Sequence, residues 1–291
     1  MPFRFTKATR KRDETEWRIV TLRPKRRIPI LGSVGLRAVR RLTPLPPEEP
    51  RVAKILAEVR RRQRLARAIA VLSLLVLLVG IWMSVGARAF KCLQEPCLPN
   101  SFRGHVMALE FARTVPDVKA IVGDLGNANR EVMHRQLNRD FVFIGSYLVL
   151  YLLLVVVLSR TRSVPPLLIV ITVAAAVCTA GFDVLENVRA LRVLNLPLAS
   201  LDGSQVAGIL DAAVIKWTFS FVTAALLSLV FRHGDSLSRL LRALLLLTAL
   251  IGVVGLVFHP LIPLSMLPMF IGLLVLTGSG LFRPLRLIKD S

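Results

Sequence analysis

The sequence predicts an all-α polytopic membrane bundle of six transmembrane helices, with both termini cytoplasmic and a short helical extracytoplasmic cap. Three observations predict it. Apolar residues make up 54% of the 291 and the mean hydropathy is +0.61, too oily for a soluble chain of this size. Six runs of the length needed to cross about 30 Å of hydrocarbon are nearly free of interior charge. The basic residues, 39 Lys and Arg against 18 Asp and Glu, gather at alternate ends of those runs, as the retention of positive charge on the cytoplasmic side requires.

The first element is a basic cytoplasmic arm, residues 1–47, in which scattered Pro, Gly and Arg predict weak order. Residues 48–67 follow as a juxtamembrane helix. Glu48 and Glu49 open it, Val52, Ile55, Leu56 and Val59 recur at three-to-four spacing, and Arg60, Arg61, Arg62, Arg64 and Arg67 run into the first span. Such a cluster attracts anionic lipid headgroups by about 1 kcal/mol per charge. A cytoplasmic protein partner for the arm is the alternative. Nucleic acid fits less well, because the arm lacks interleaved aromatics and any recognisable binding module. The first apolar run begins near residue 68, far behind a charged stretch, which is not a secretory signal pattern.

The bundle occupies residues 68–282, with spans at Ala68 to Ala87, Phe141 to Leu158, Pro165 to Phe182, Ala213 to Phe231, Leu240 to Phe258 and Leu261 to Leu281. The last two, separated by His259 and Pro260, predict a tight helical hairpin. Residues 1–67 carry 20 basic and 6 acidic side chains, which places the N-terminus inside. Residues 88–140 hold 8 basic and 6 acidic groups and residues 183–212 hold 2 and 4, so those loops fall outside. The tail, 283–291, with Arg283, Arg286 and Lys289, returns to the inside, and an inner cell membrane is the expected location.

Outer loop 88–139 predicts two short helices, one within residues 101–113 and one from Asp117 to Val122, broken by Gly123 and Gly126. Asn127 or Asn129 then caps the helix that becomes the second span. Cys92 and Cys97 lie in this loop, where an oxidising compartment permits a disulfide, with two free thiols as the alternative. Cys178, inside the third span, is expected to pack as a small apolar residue. Glu110 with Arg113 is expected to be an ordinary surface pair.

Ionisable groups at membrane depth are expensive and therefore candidates for function. Asp140 opens the second span, Asp183 and Glu186 end the third, and Lys216 lies about one turn inside the fourth. Residues three and four apart share a helix face. Met133, Leu137, Asp140, Ile144, Tyr147 and Tyr151 form one stripe. Thr172, Ala176, Thr179, Asp183 and Glu186 form a second, with Asn187 beside it, and Lys216, Ser220 and Thr223 a third. Lipid is the wrong partner for three polar stripes. Either Lys216 pairs with Asp183, Glu186 or Asp140 and orients the bundle, or these groups line an outward-facing pocket that binds a small ligand, an ion or a lipid headgroup. Two further readings are a membrane-embedded enzyme acting on a lipid headgroup, with Asp140, Asp183 or Glu186 as general base and Lys216 stabilising negative charge, and an assembly subunit using its basic arm. No phosphate-cradling loop, hydrolase elbow or metal-ligand spacing occurs, so no cofactor is expected.

Four segments carry a resemblance: Leu109-Glu-Phe-Ala-Arg-Thr-Val-Pro-Asp117, Leu137-Asn-Arg-Asp140, Asp183-Val-Leu-Glu-Asn187 and Lys216-Trp217. Over residues 105–231 the chain resembles an uncharacterised family of bacterial polytopic inner-membrane proteins, most specifically in its Asp-x-x-Glu-Asn element. The resemblance implies a set of site residues, Glu110, Arg113, Asp140, Asp183, Glu186, Asn187 and Lys216, and no particular activity.

Overall fold

The computed structural model describes residues 50–93, 98, 104–161, 164–231 and 236–282. The basic arm, the tail and Cys97 lie outside them. The described residues are all-helical, with six helices long and apolar enough to cross a membrane and no strand. In hydrocarbon a helix satisfies every backbone donor and acceptor within its own segment, which is why an apolar chain of this kind resolves into helices.

Helix α1, Pro50–Ala87, joins the basic segment and the first span without a break. Its first half is wet, with Glu58 pairing with Arg62 at 3.0 Å one turn on and Ile55 and Leu56 exposed. Helix α2, His105–Glu110, and α3, Val115–Val122, are the two short helices of the long loop. A reciprocal capping box starts α3: the Asp117 N–H donates to Thr114 Oγ1 and the Thr114 N–H to Asp117 Oδ2. Gly123 and Gly126 follow with φ of 72° and 84°, a backbone conformation open to glycine and strained for other residues. The Asn129 N–H donates to Asn127 Oδ1 at 2.9 Å, which caps α4, Ala128–Thr161.

Helix α5 is Pro166–Leu194 and α6 is Gly203–Val230, the latter started by an Asp202–Gln205 capping box. Helices α7, Ser236–Val257, and α8, Ile262–Phe282, meet through a 3-10 turn at His259–Leu261 and form the predicted hairpin. Helices α4, α5 and α6 outrun the apolar stretches that announce them. Asp183 and Glu186 therefore do not end a helix; α5 continues to Leu194, because its last turns bury Ala190, Val193 and Leu194 against the neighbouring elements.

Each long helix packs on two others in the order α1, α4, α5, α6, α7, α8 and back to α1, so the six close a ring. Small residues set the close approaches, as packing between helices in lipid demands. A Cβ on Gly252 would run into the Phe221 ring of α6, and one on Gly280 would lie 2.6 Å from the Ala66 carbonyl oxygen of α1. Two apolar cores stack along the ring axis. One gathers α2, α3, the start of α4, the end of α5 and the start of α6 around Phe111, Ile121, Met133 and Ile209. The other holds Ile69, Leu150, Leu158 and Leu273 toward the opposite end.

Arg130 ties the first core together. Its buried guanidinium donates to the carbonyls of Gly123, Leu194 and Leu196 at 2.9, 2.7 and 2.9 Å. The C-terminal carbonyls of α5 lack helical partners, and a cation there also meets the negative end of the helix dipole.

Candidate functional site

The polar cluster sits where the two cores meet. Lys216 is buried on α6, with Nζ 2.6 Å from Glu186 Oε2, 3.2 Å from Asp183 Oδ1 and 3.3 Å from Glu110 Oε1. The helical period explains how α5 contributes three residues to two neighbours. Helix α5 stands between α4 and α6 in the ring. Asp183 and Glu186 share the face that meets α6, while Asn187, about 100° farther round, faces α4 and donates through Nδ2 to Asp140 Oδ2 at 2.8 Å. Asp183 bridges both sides, because Tyr147 of α4 donates its hydroxyl to Asp183 Oδ2 at 2.9 Å.

Glu110 arrives from the end of α2. Trp217 donates Nε1–H to Glu110 Oε2 at 3.0 Å, and its ring lies 5.1 Å from the Lys216 ammonium, within cation–π range. The expected surface pair of Glu110 with Arg113 does not form. Helix α2 ends at Glu110, so the helical i,i+3 relation does not extend to Arg113. Arg113 is exposed and outside the cluster, with its backbone N–H on Asp117. Helix α2 is anchored at its start by His105, whose ring stacks on Phe90 at 4.3 Å. Burial holds that imidazole below its ordinary pKa, against a smaller raising effect from a backbone hydrogen bond at Lys91.

Of the seven predicted residues, six converge: Glu110, Asp140, Asp183, Glu186, Asn187 and Lys216. Lys216 pairs with Glu110, Asp183 and Glu186, whereas Asp140 is held by Asn187. Two contributors escape a search confined to ionisable groups. One is Trp217, next to Lys216. The other is Gln136, 1% exposed with Oε1 lacking a hydrogen-bond partner, one turn before Asp140 on the same face, a spacing that marks it in the sequence. Cys92 is disulfide-bonded and Cys178 is a free thiol.

The cluster opens on a cavity of about 330 Å³ inside the ring. Glu110, Gln136, Asp140, Asp183 and Lys216 line one end. The remainder is lined mainly by apolar side chains, ending among Leu154, Phe231, Leu241 and Leu276. Four carboxyl groups face one ammonium. Asp183 Oδ1 and Glu186 Oε2 are ion-paired with Lys216 at 3.2 and 2.6 Å. Buried groups of this kind are costly unless paired, and Lys216 is the cation that pairs with three of the four. No group of three or more His, Cys, Asp or Glu is placed to hold a metal among the described residues.

Comparison of the chain with protein families, curated proteins and solved structures returns no match in any of the three.

Proposed function

We propose that this multi-pass membrane protein is a binding protein of the bacterial inner membrane, and that its Lys216 cluster binds a small positively charged group, free or as a lipid headgroup, from the outer side. The observation that carries the reading is one ammonium among four carboxyl groups, with the unpartnered Gln136 Oε1 beside them at one end of a cavity. Tyr147, Trp217 and Asn187 hold the carboxyl groups of Asp183, Glu110 and Asp140 in place.

Depth follows from helix length. Helices α7 and α8, of 22 and 21 residues, are about 33 and 32 Å long and so match the hydrocarbon thickness. Their turn marks one membrane surface. Phe111 packs on His259 of that turn at 4.5 Å, and Met266, just past the turn, lines the same cavity as Lys216. This supports a cluster just under that surface, with α2, α3 and the ends of α4, α5 and α6 above it. The basic counts of the sequence support reading this surface as the outer one.

Butylammonium, added to the protein in nanodiscs and followed by saturation-transfer NMR, tests the binding. Transfer to butylammonium and not to butyrate, lost in a folded Asp140→Asn variant, is the expected result. Equal transfer to both, or none to the cation, overturns the reading. Sidedness has its own test: a cysteine at exposed Asp124 is expected to react with an impermeant maleimide from the outer side alone.

A further inference from the structure

We infer that the apolar part of the ring cavity holds a hydrocarbon chain, so that the ligand is a single-chain amphiphile with a primary ammonium head at the Lys216 cluster and its tail running along the ring axis. The inference rests on the headgroup reading above and extends it to the body of the ligand.

Shape is the first argument. On α4 the cavity is lined from Gln136 to Leu154, 18 residues and therefore about 27 Å along the axis. It is thus nearly as long as the bilayer core is thick. A volume of about 330 Å³ stands at the lower end of the range of ligand sites. Spread over that length it is a narrow tube, suited to one chain rather than to the paired chains of a phospholipid.

Chemistry along the tube is the second. Past Tyr147 the lining is mainly Leu150, Leu154, Leu241, Leu245, Leu273 and Leu276, with Tyr151 among them, and the leucine side chains have no group to bind a polar solute. A water-soluble cation would leave this length unused, whereas a chain fills it with favourable apolar contact. The charged groups and Gln136 occur at one end, where carboxyls outnumber the ammonium. The buried Gln136 Oε1 has no partner of its own and asks for an N–H donor. A primary ammonium supplies three, which favours it over a quaternary one; a carboxylate or phosphate head would bring more negative charge to four carboxyl groups.

Octadecylamine carrying a diazirine at the far end of its chain, photolysed with the full-length protein in nanodiscs, reads the tail position directly by peptide mass spectrometry. Labelling is expected at Leu241, Leu245 and Leu276, and excess unlabelled octadecylamine, not octadecanoate, should compete it away. Asp140→Asn should weaken it about tenfold, the loss of a charged hydrogen bond. Labelling confined to outward-facing positions such as Leu250, Val253 and Leu274, which are 66%, 58% and 60% exposed, overturns the inference. If butylammonium still binds at the cluster in that case, the headgroup reading stands and the tail assignment alone falls. If butylammonium does not bind either, both fall. Equal competition by octadecanoate overturns the ammonium assignment, and needs no variant to fold.

Discussion

Replacing Lys216 by Met tests whether the cluster is an electrostatic unit. The thioether chain keeps the volume and the flexible stem but removes the ammonium from three carboxylate oxygens at 2.6, 3.2 and 3.3 Å. At an effective dielectric of about 20, Coulomb's law gives roughly 5–6 kcal/mol of gross attraction for each contact. Desolvation of the four groups and repulsion among the carboxylates offset most of it. What remains to be lost is the cost of stranding buried charge, about 3–5 kcal/mol. For a chain of this size that corresponds to a fall of roughly 10 °C in the thermal midpoint, followed in nanodiscs by intrinsic fluorescence. The nearest contact identifies the cause. Glu186→Gln in the Lys216→Met background removes one of the stranded charges, so the double variant should be more stable than the sum of the single losses, with a coupling of about 1–3 kcal/mol. Strict additivity, or a Lys216→Met protein as stable as the parent, refutes the reasoning.

Three other outcomes follow from the packing and the caps. Arg130→Met leaves the carbonyls of Gly123, Leu194 and Leu196 without their charged donor, and a loss of about 3 kcal/mol is expected, with faster hydrogen exchange at the end of α5. Gly252→Ala places a methyl against the buried Phe221 ring, and overpacking of that kind costs about 1–3 kcal/mol, read as a lower thermal midpoint. Asp202 caps α6, and its carboxyl is held below the ordinary aspartate value of 3.8 by the Ser204 hydroxyl and then by the Gln205 N–H. A depressed value in the folded chain stabilises the cap above that pH and is lost as pH falls through the folded value. Amides at the start of α6 should therefore keep their slow exchange down to pH 3.8 and lose it only below.

The architecture was legible because the bilayer imposes a length and a period. Long runs with little interior charge announced each span, and Gly123, Gly126 and Asn127 announced the break before α4. Hydropathy marks the apolar part of a helix and not its end, which is why α5 passes Asp183 by eleven residues and α6 begins well before Ala213. Helical spacing brought Asp140, Asp183, Glu186 and Lys216 toward a common site, since each stripe had to meet another polar surface. It did not reveal that Glu110 belongs with them. Glu110 sits at the end of a six-residue helix, where periodicity carries little information, and only the packing of α2 on α4, α5 and α6 swings its carboxylate onto Lys216 and Trp217. Nor did sequence show the lumen, because a helix facing a cavity and a helix facing a neighbour carry the same apolar pattern.

A cryo-EM map of the protein in nanodiscs tests the central claim most directly. The account predicts Lys216 bridged to Glu110, Asp183 and Glu186, with elongated density running from Gln136 toward Leu276 inside a ring of six helices. Carboxyl groups turned away from Lys216, or a lumen filled by collapsed side chains, would contradict it.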